Sequence, residues 1–264
     1  GTFLILPASR WVETAARGLG LLQRRRLRRF DRVLAASAPA GEFARTAFGL
    51  ASTIVALPVD VGTFARAVEH GHRPAAGDPV HLVFLGRLVE RKGPGALLSA
   101  LAALHARGTE VPVRLTLAGT GPLSETLRRQ AEELGIAHLV DLPGYVAEED
   151  KAALLASGDV VCLPSIGGES FGISVVEALA AARGVVIVGD NPGYRSVMGD
   201  LSEQLVDPND TEAFAAVLAR FVDDPLLREA ARDRQRELAW RYDIDAVGPL
   251  IVAEYREALA RRPR

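Results

Sequence analysis

The sequence is short of three things, and each shortage excludes a class of protein. It holds a single cysteine among 264 residues, so no disulfide framework can be built. That residue, Cys162, sits in the apolar run Asp159-Val-Val-Cys-Leu163. A lone cysteine there reads as a small buried hydrophobe and fits a reducing, cytoplasmic compartment. Net charge is only −2, which provides no overall field for nucleic acid or for a membrane. No apolar run approaches the roughly 18 to 20 residues needed to cross a bilayer. The start, Gly1-Thr-Phe-Leu-Ile-Leu-Pro7, has no charged leader and no cleavage site, so no signal peptide is expected. It also lacks methionine and reads as a strand already in progress, so trimming at the N-terminus is expected. The five histidines, His70, His72, His81, His105 and His138, show no convergent ligand spacing, and no metal site is expected.

What is present is the composition of a core-forming chain, 48% hydrophobic and 24% charged. From Pro79 onward, short β-rich runs alternate with helical patterns. The strands are Val80–Leu85, Val113–Ala118, Leu139–Leu142, Asp159–Leu163 and Val185–Val188. The helices between them run near Gly93–Arg107, Pro122–Leu134, Glu148–Ser157 and Gly172–Ala182. This rhythm predicts right-handed βαβ units and an α/β fold with a doubly wound parallel sheet. Three further helices are expected near Asp210–Val222, Pro225–Arg241 and Ile244–Arg261. The first 60 residues repeat the alternation in smaller measure, with strands at Thr2–Leu6, Arg32–Ala36 and Thr53–Leu57. Helices near Val12–Arg29 and Pro39–Phe48 separate them. Those strands are too few for a full sheet. Pro58 to Asp78, with His70-Gly-His72 and Arg73-Pro-Ala-Ala-Gly-Asp78, has linker composition.

Ligands of open α/β sheets bind outside the carboxyl ends of the strands, and four sequence features fall there. Gly86-Arg87-Leu-Val-Glu-Arg91-Lys92-Gly93 follows Val80–Leu85 and brings a glycine, up to three cations and a helix start, a set suited to phosphate. A solvated βα turn with incidental charges is the competing reading of this segment alone. Gly119-Thr-Gly121-Pro122 follows the next strand; such glycines are usually structural, and Pro122 suits a first helical position. Gly144-Tyr145-Val146, with Lys151 beyond, suits a nucleobase or a turn with a packed tyrosine. The fourth feature is the segment Gly167 to Ala181, GGESFGISVVEALAA. It places Glu169 just before a helix, Glu177 inside it, and the amides of Phe171, Gly172 and Ile173 at its N-terminus. An isolated Glu-x7-Glu is more simply a dipole partner and a solvated helix residue, but on this edge, after the other three features, that reading is rejected.

Together these motifs resemble family 4 retaining glycosyltransferases, which have two facing Rossmann-like domains (the GT-B fold). GGESFGI looks most like the phosphatidylinositol α-mannosyltransferases. The likeness is strong over Val80 to about Asp207. It implies that Glu169 contacts the transferred sugar and that Arg87 and Lys92 hold the donor diphosphate, the three forming the catalytic set. It further implies that Gly86, Gly119 and Gly121 line the donor and that Phe171, Gly172 and Ile173 present amides to it. Glu177 would bind the ribose, and Tyr145, Val146 and Lys151 would border the base. The resemblance implies no required cofactor or metal and a nucleotide-sugar donor, with GDP-mannose favoured and a UDP-sugar as the other choice. Its acceptor would be a glycan or lipid hydroxyl, and nucleic acid is not expected as a partner.

Two departures from the family pattern stand out. The turn after the second glutamate reads Ala180-Ala-Ala-Arg183-Gly184-Val185, with the usual glycine displaced and the proline missing. At Gly1-Thr-Phe3 the strand that leads into an active-site histidine in the mannosyltransferases is followed by Leu4. The expected division is a partial acceptor-side remnant over 1–72, a donor-binding domain over 73–242, and a C-terminal helix over 243–264 that packs back on the N-terminal segment. Arg24-Arg-Arg-Leu-Arg-Arg29 raises a peripheral contact with the inner membrane face, against the simpler reading of a solvated basic helix. Arg261-Arg-Pro-Arg264 is expected to fray. Two rivals to a transferase are weighed: a non-catalytic nucleotide-sugar-binding module, and another GT-B enzyme such as an epimerase, which the match at Glu169–Ile173 disfavours.

Overall fold

The computed structural model describes Leu27, residues 29–70 and residues 77–260. The expected strand Thr2–Leu6, nearly all of the helix Val12–Arg29 and its arginine cluster, His72 and the tail Arg261–Arg264 lie outside those residues. So does the Phe3-Leu4 departure.

The larger sheet has six strands: β3 (Val80–Leu85), β4 (Val113–Ala118), β5 (Val140–Gly144), β6 (Val160–Leu163), β7 (Val185–Gly189) and β8 (Leu205–Val206). All pairs are parallel, in the order β5-β4-β3-β6-β7-β8. Each of β6 and β7 is buried throughout, as strands covered on both faces must be. The pleat sends alternate residues to opposite faces. Leu82, Phe84, Leu115, Leu117, Val160, Cys162 and Ile187 join one core. Val83, Val161, Leu163, Val186 and Val188 join the other. The first core is closed by α3 (Pro94–Arg107), α4 (Ser124–Glu133) and α8 (Thr211–Asp223). The second is closed by α2 (Val61–His70), α5 (Lys151–Ser157), α6 (Ile173–Ala181), α7 (Pro192–Met198) and α9 (Pro225–Trp240). The doubly wound expectation therefore holds, with Cys162 fully buried and its thiol pushed up by that burial.

A second, two-stranded parallel sheet is formed by β1 (Leu34–Ala35) and β2 (Thr53–Ile54), joined by α1 (Ala38–Phe48). The linker reading of Pro58–Asp78 is corrected. Val59 bridges Asp243, and α2 packs against α6. Asp60 caps the first turn through the Thr63 amide at 2.9 Å. The apolar stripe Val61, Phe64, Ala65 and Val68 has helical spacing that the surrounding glycine, arginine and histidine obscure. The last helix, α10 (Ile244–Ala260), returns to the first segment, where Arg32 pairs with Glu254 at 3.5 Å and with Glu257.

The altered turn after α6 is closed by local contacts. A methyl on Gly184 would lie 1.9 Å from the Asp159 carbonyl oxygen, so only glycine allows that approach. Arg183 donates to the Asp159 carboxylate and to the Ser157 carbonyl, each at 3.0 Å.

Candidate active site

The strand order reverses between β3 and β6, because β4 and β5 build outward on one side and β7 and β8 on the other. Loops leaving adjacent strands at such a point diverge to opposite faces and open a crevice at the carboxyl edge. The loop after β3 carries the cations, and the loop after β6 carries Glu169.

The loops beside the crevice are stitched side by side. Gly86 N–H donates to the Ala118 carbonyl at 3.1 Å, Leu88 N–H to Thr120 at 2.9 Å, and Gly119 N–H to Gly144 at 2.7 Å. Gly119 has a φ of +132°, and a methyl there would lie 1.8 Å from the Gly86 carbonyl oxygen. At Gly121 the same test gives 2.2 Å to the Leu88 oxygen. Packing of the β4 loop on the β3 loop explains both glycines. Gly93 does the same across the crevice: its φ is +70°, and a methyl would lie 2.1 Å from the Pro164 oxygen.

At the centre, the Glu169 carboxylate accepts from Lys92 Nζ at 2.8 Å, Arg91 Nη1 at 2.5 Å and Ser165 Oγ at 2.9 Å. Burial alone would raise its pKa, but the Lys92 and Arg91 charges and the Ser165 hydroxyl outweigh that and hold it below the ordinary carboxylate value. Glu169 is therefore charged at neutral pH. Arg91, which the resemblance left without a role, is brought here by a short 3₁₀ turn at Glu90–Lys92. Its carbonyl accepts from Ile166 N–H at 3.0 Å and, also at 3.0 Å, competes with the Glu169 carboxylate for the single Ser165 Oγ proton. Ser165 is tied in turn to Asn191, whose side-chain amide donates to the Ser165 carbonyl at 2.9 Å while its oxygen caps α7 at Tyr194. Residue type alone flagged neither Ser165 nor Asn191.

The other expected residues fall into two groups. Arg87 is exposed at the mouth of the crevice and forms no ion pair with an acidic side chain among the described residues. Ile173 is 44% exposed and opens α6; Val175 N–H donates to the Gly172 carbonyl at 3.0 Å, so within that first turn the Ile173 and Ser174 amides have no intrahelical acceptor. Gly172 has a φ of +135° with the Tyr194 ring directly behind it. Phe171 is buried, its ring edge-on to Tyr242 at 5.4 Å, which leaves only its backbone to face a ligand. Further along the edge, Tyr145 is 76% exposed and Val146 half-buried. Lys151 bridges Glu148 at 2.8 Å and Glu177 at 3.4 Å. Burial, only partly offset by Lys151, raises the Glu177 pKa. Among the described residues no cluster of three histidine, cysteine or acidic side chains is placed to hold a metal.

This geometry agrees with comparisons to known proteins. The family of glycosyl transferases group 1 matches residues 66–238. A phosphatidyl-myo-inositol mannosyltransferase from Mycolicibacterium smegmatis is 40% identical over 210 residues, covering 78% of this chain and 52% of that protein. An MMP α-(1→4)-mannosyltransferase from Mycolicibacterium hassiacum is 35% identical over 66% of this chain and 42% of its own length. The chain thus spans about half the length of the curated relatives it matches. Among solved structures, Anabaena HepE in complex with UDP aligns with a TM-score of 0.80 at 21% identity, over 96% of this chain and 71% of that one. Sucrose-phosphate synthase from Thermosynechococcus elongatus aligns with a TM-score of 0.75 at 21% identity, over 92% and 62%.

Proposed function

The chain belongs to the glycosyl transferases group 1 family, and from that membership we propose that its crevice binds the donor of a retaining sugar transferase. The observation that carries the reading is the convergence of Lys92 and Arg91 on Glu169 at the topological switch point. A diphosphate needs such cations, and a sugar needs a fixed acceptor of hydroxyl hydrogen bonds. Arg87 and Lys92 hold the diphosphate, joined by the amides of Phe171, Gly172 and Ile173 at the positive end of α6. Glu169 then meets the sugar. Glu177 accepts from the ribose, and the exposed Tyr145 ring with Val146 and Lys151 borders the base. Chemistry at this site is largely electrostatic: fixed positive charge stabilises the nucleotide diphosphate as it departs, and the acceptor hydroxyl attacks the sugar from the same face.

The mannosyltransferase relatives favour mannose from GDP-mannose, while the UDP bound by Anabaena HepE keeps a UDP-sugar as the other donor to test. A glycan or lipid hydroxyl is the proposed acceptor. We place residues 1–72 on the acceptor side, 73–242 on the donor side, and 243–264 as the helix linking them. A cytoplasmic site, in peripheral contact with the inner membrane face, suits a lipid acceptor. Among the described residues no helix is long and apolar enough to cross a membrane.

Calorimetric titration of the folded chain with GDP, UDP and ADP tests the donor site. Saturable binding of one of them is expected, and a folded sample that binds none overturns the reading. Joining the acceptor-side half of a mannosyltransferase relative and assaying sugar transfer then decides between an enzyme and a binding module.

A further inference from the structure

The small β1–β2 unit reaches the donor loop through one side chain. Ser37 stands at the N-cap of α1 in extended backbone and is 2% exposed. Its Oγ accepts from the Ala40 amide at 3.2 Å and donates to the carbonyl of Ser170. A hydroxyl has one proton and two lone pairs, so both bonds form at once. Ser170 directly follows Glu169, and the carbonyl that Ser37 holds sets the plane of the next peptide. From the other side, Gly193 in the first turn of α7 stands so close to the Glu169 carbonyl that a methyl would lie 2.1 Å from its oxygen. Helices α1 and α7 also pack on each other. The stretch Glu169–Ser170 is thus gripped at both carbonyls by two elements that belong to different parts of the fold.

That grip acts on a segment with little stiffness of its own. Gly167, Gly168 and Gly172 have φ of +158°, +73° and +135°, and glycine gives up more backbone freedom on ordering than any other residue. We infer that Ser37 is a positioning residue, through which the N-terminal segment fixes the Gly167–Gly172 loop and hence the Glu169 carboxylate for the donor sugar. The inference rests on the proposed donor site for its functional half only; the fixing of the loop stands on the geometry.

The test uses three replacements in the whole chain. Ser37→Asp keeps an acceptor that can cap α1 but has no proton for the Ser170 carbonyl at neutral pH. Ser37→Gly costs the cap little and also removes the donor, which keeps the test open should the aspartate variant not fold. Ser37→Thr retains both bonds. Losing this bond is expected to speed amide exchange over residues 167–172 about tenfold in the first two variants, with the α1 amides beyond Ala40 unchanged, as befits roughly one hydrogen bond. The second readout is the ratio of Kd values for GDP against GDP-mannose and for UDP against UDP-glucose. That sugar-dependent gain should fall about tenfold in the two variants while the nucleotide alone binds within about threefold of wild type. The threonine variant should match wild type in both. Unchanged loop exchange in Ser37→Gly, or an unchanged ratio beside normal nucleotide binding, overturns the inference. If wild type binds no nucleotide, the donor reading fails, and the exchange result still decides whether Ser37 fixes the loop.

Discussion

Replacing Glu169 by glutamine should tighten binding of the bare nucleotide diphosphate. The carboxylate holds Lys92 and Arg91, two of the cations available to a diphosphate. A charge-assisted hydrogen bond contributes about 1.5 to 3 kcal/mol net. The Lys92 contact, with both side chains mostly buried at 20% and 14% exposure, belongs in that range. The Arg91 side chain is 41% exposed, so solvent screening reduces its share to about 0.5 kcal/mol. A diphosphate entering the wild-type site must displace roughly 2 kcal/mol of pairing, whereas in Glu169→Gln the cations are released beforehand. Some of the gain is lost because the freed cations become hydrated, leaving about 1 to 1.5 kcal/mol, or five- to tenfold tighter GDP or UDP. Calorimetry at low and high ionic strength measures this, and the gain should shrink with salt. GDP-mannose should gain less than GDP, because the glutamine no longer offers the sugar a charged acceptor. A fivefold or greater loss of GDP affinity would refute the reasoning, since it would mean that the carboxylate supports the diphosphate site.

The remaining predictions concern the cations, the glycine packing and the buried histidine. Arg87→Ala should weaken nucleotide binding at least tenfold, the worth of one charge-assisted contact, with the melting temperature unchanged because the side chain is exposed; unchanged affinity in the titration would remove Arg87 from the site. Gly119→Ala sets a methyl against the Gly86 oxygen at positive φ and should cost about 3 kcal/mol in urea unfolding, combining overpacking and a left-handed backbone; a cost under about 1 kcal/mol would mean that the β3 and β4 loops do not pack as described. His81 is buried, held between the Ser157 carbonyl at 3.1 Å and Thr116 Oγ1 at 2.8 Å. Burial first, and then the Arg114 charge, lower its pKa from 6.5 to about 4. The unfolded chain therefore binds the extra proton first, so this stability is full above pH 6.5 and is lost as pH falls toward 4, by about 3 kcal/mol in all. His81→Gln should flatten that part of the unfolding profile, and an unchanged slope between pH 6.5 and 4 would exclude His81 as its source.

The large sheet was legible because its signal is local. Runs such as Val160–Leu163 and Val185–Gly189 are apolar throughout, and burial on both faces demands that. The elements that escaped notice are those whose signal is short or masked. Strand β8 is two residues, Leu205–Val206. Helix α7 begins Asn191-Pro-Gly193, which reads as turn punctuation, although Asn191 is its cap and the proline its first turn. Helix α2 was hidden inside linker composition. In the site, position at the strand ends was readable and partner choice was not. Lys92 and Arg91 are neighbours in sequence, and only the 3₁₀ turn decides that both face Glu169. Ser37 lies 133 residues from Ser170, so no spacing rule connects them.

The arrangement also implies an order of events at the proposed donor site. The residue assigned to the sugar is ion-paired with Lys92, which is assigned to the diphosphate, and with its neighbour Arg91, so each half of the donor meets part of this pair. A bare sugar must compete with Lys92 and Arg91 for Glu169, and a bare anion must compete with Glu169 for them. Only a molecule carrying both groups compensates each side of the broken pair: its diphosphate takes the cations and its sugar hydroxyls take the carboxylate. The two recognitions are therefore coupled through one ion pair, and by linkage each strengthens the other equally. The same coupling raises the Glu169 pKa as the cations turn toward phosphate, since burial then acts on it with less opposition. Without a sugar hydroxyl to replace them, the carboxylate is drawn toward its protonated form. Binding of GDP to the wild-type chain should then take up more protons than binding of GDP to Glu169→Gln, which has no carboxyl to titrate there. Calorimetry in buffers of different ionisation enthalpy reads that difference, and equal uptake by the two chains would show that the cations stay with Glu169 when the diphosphate arrives.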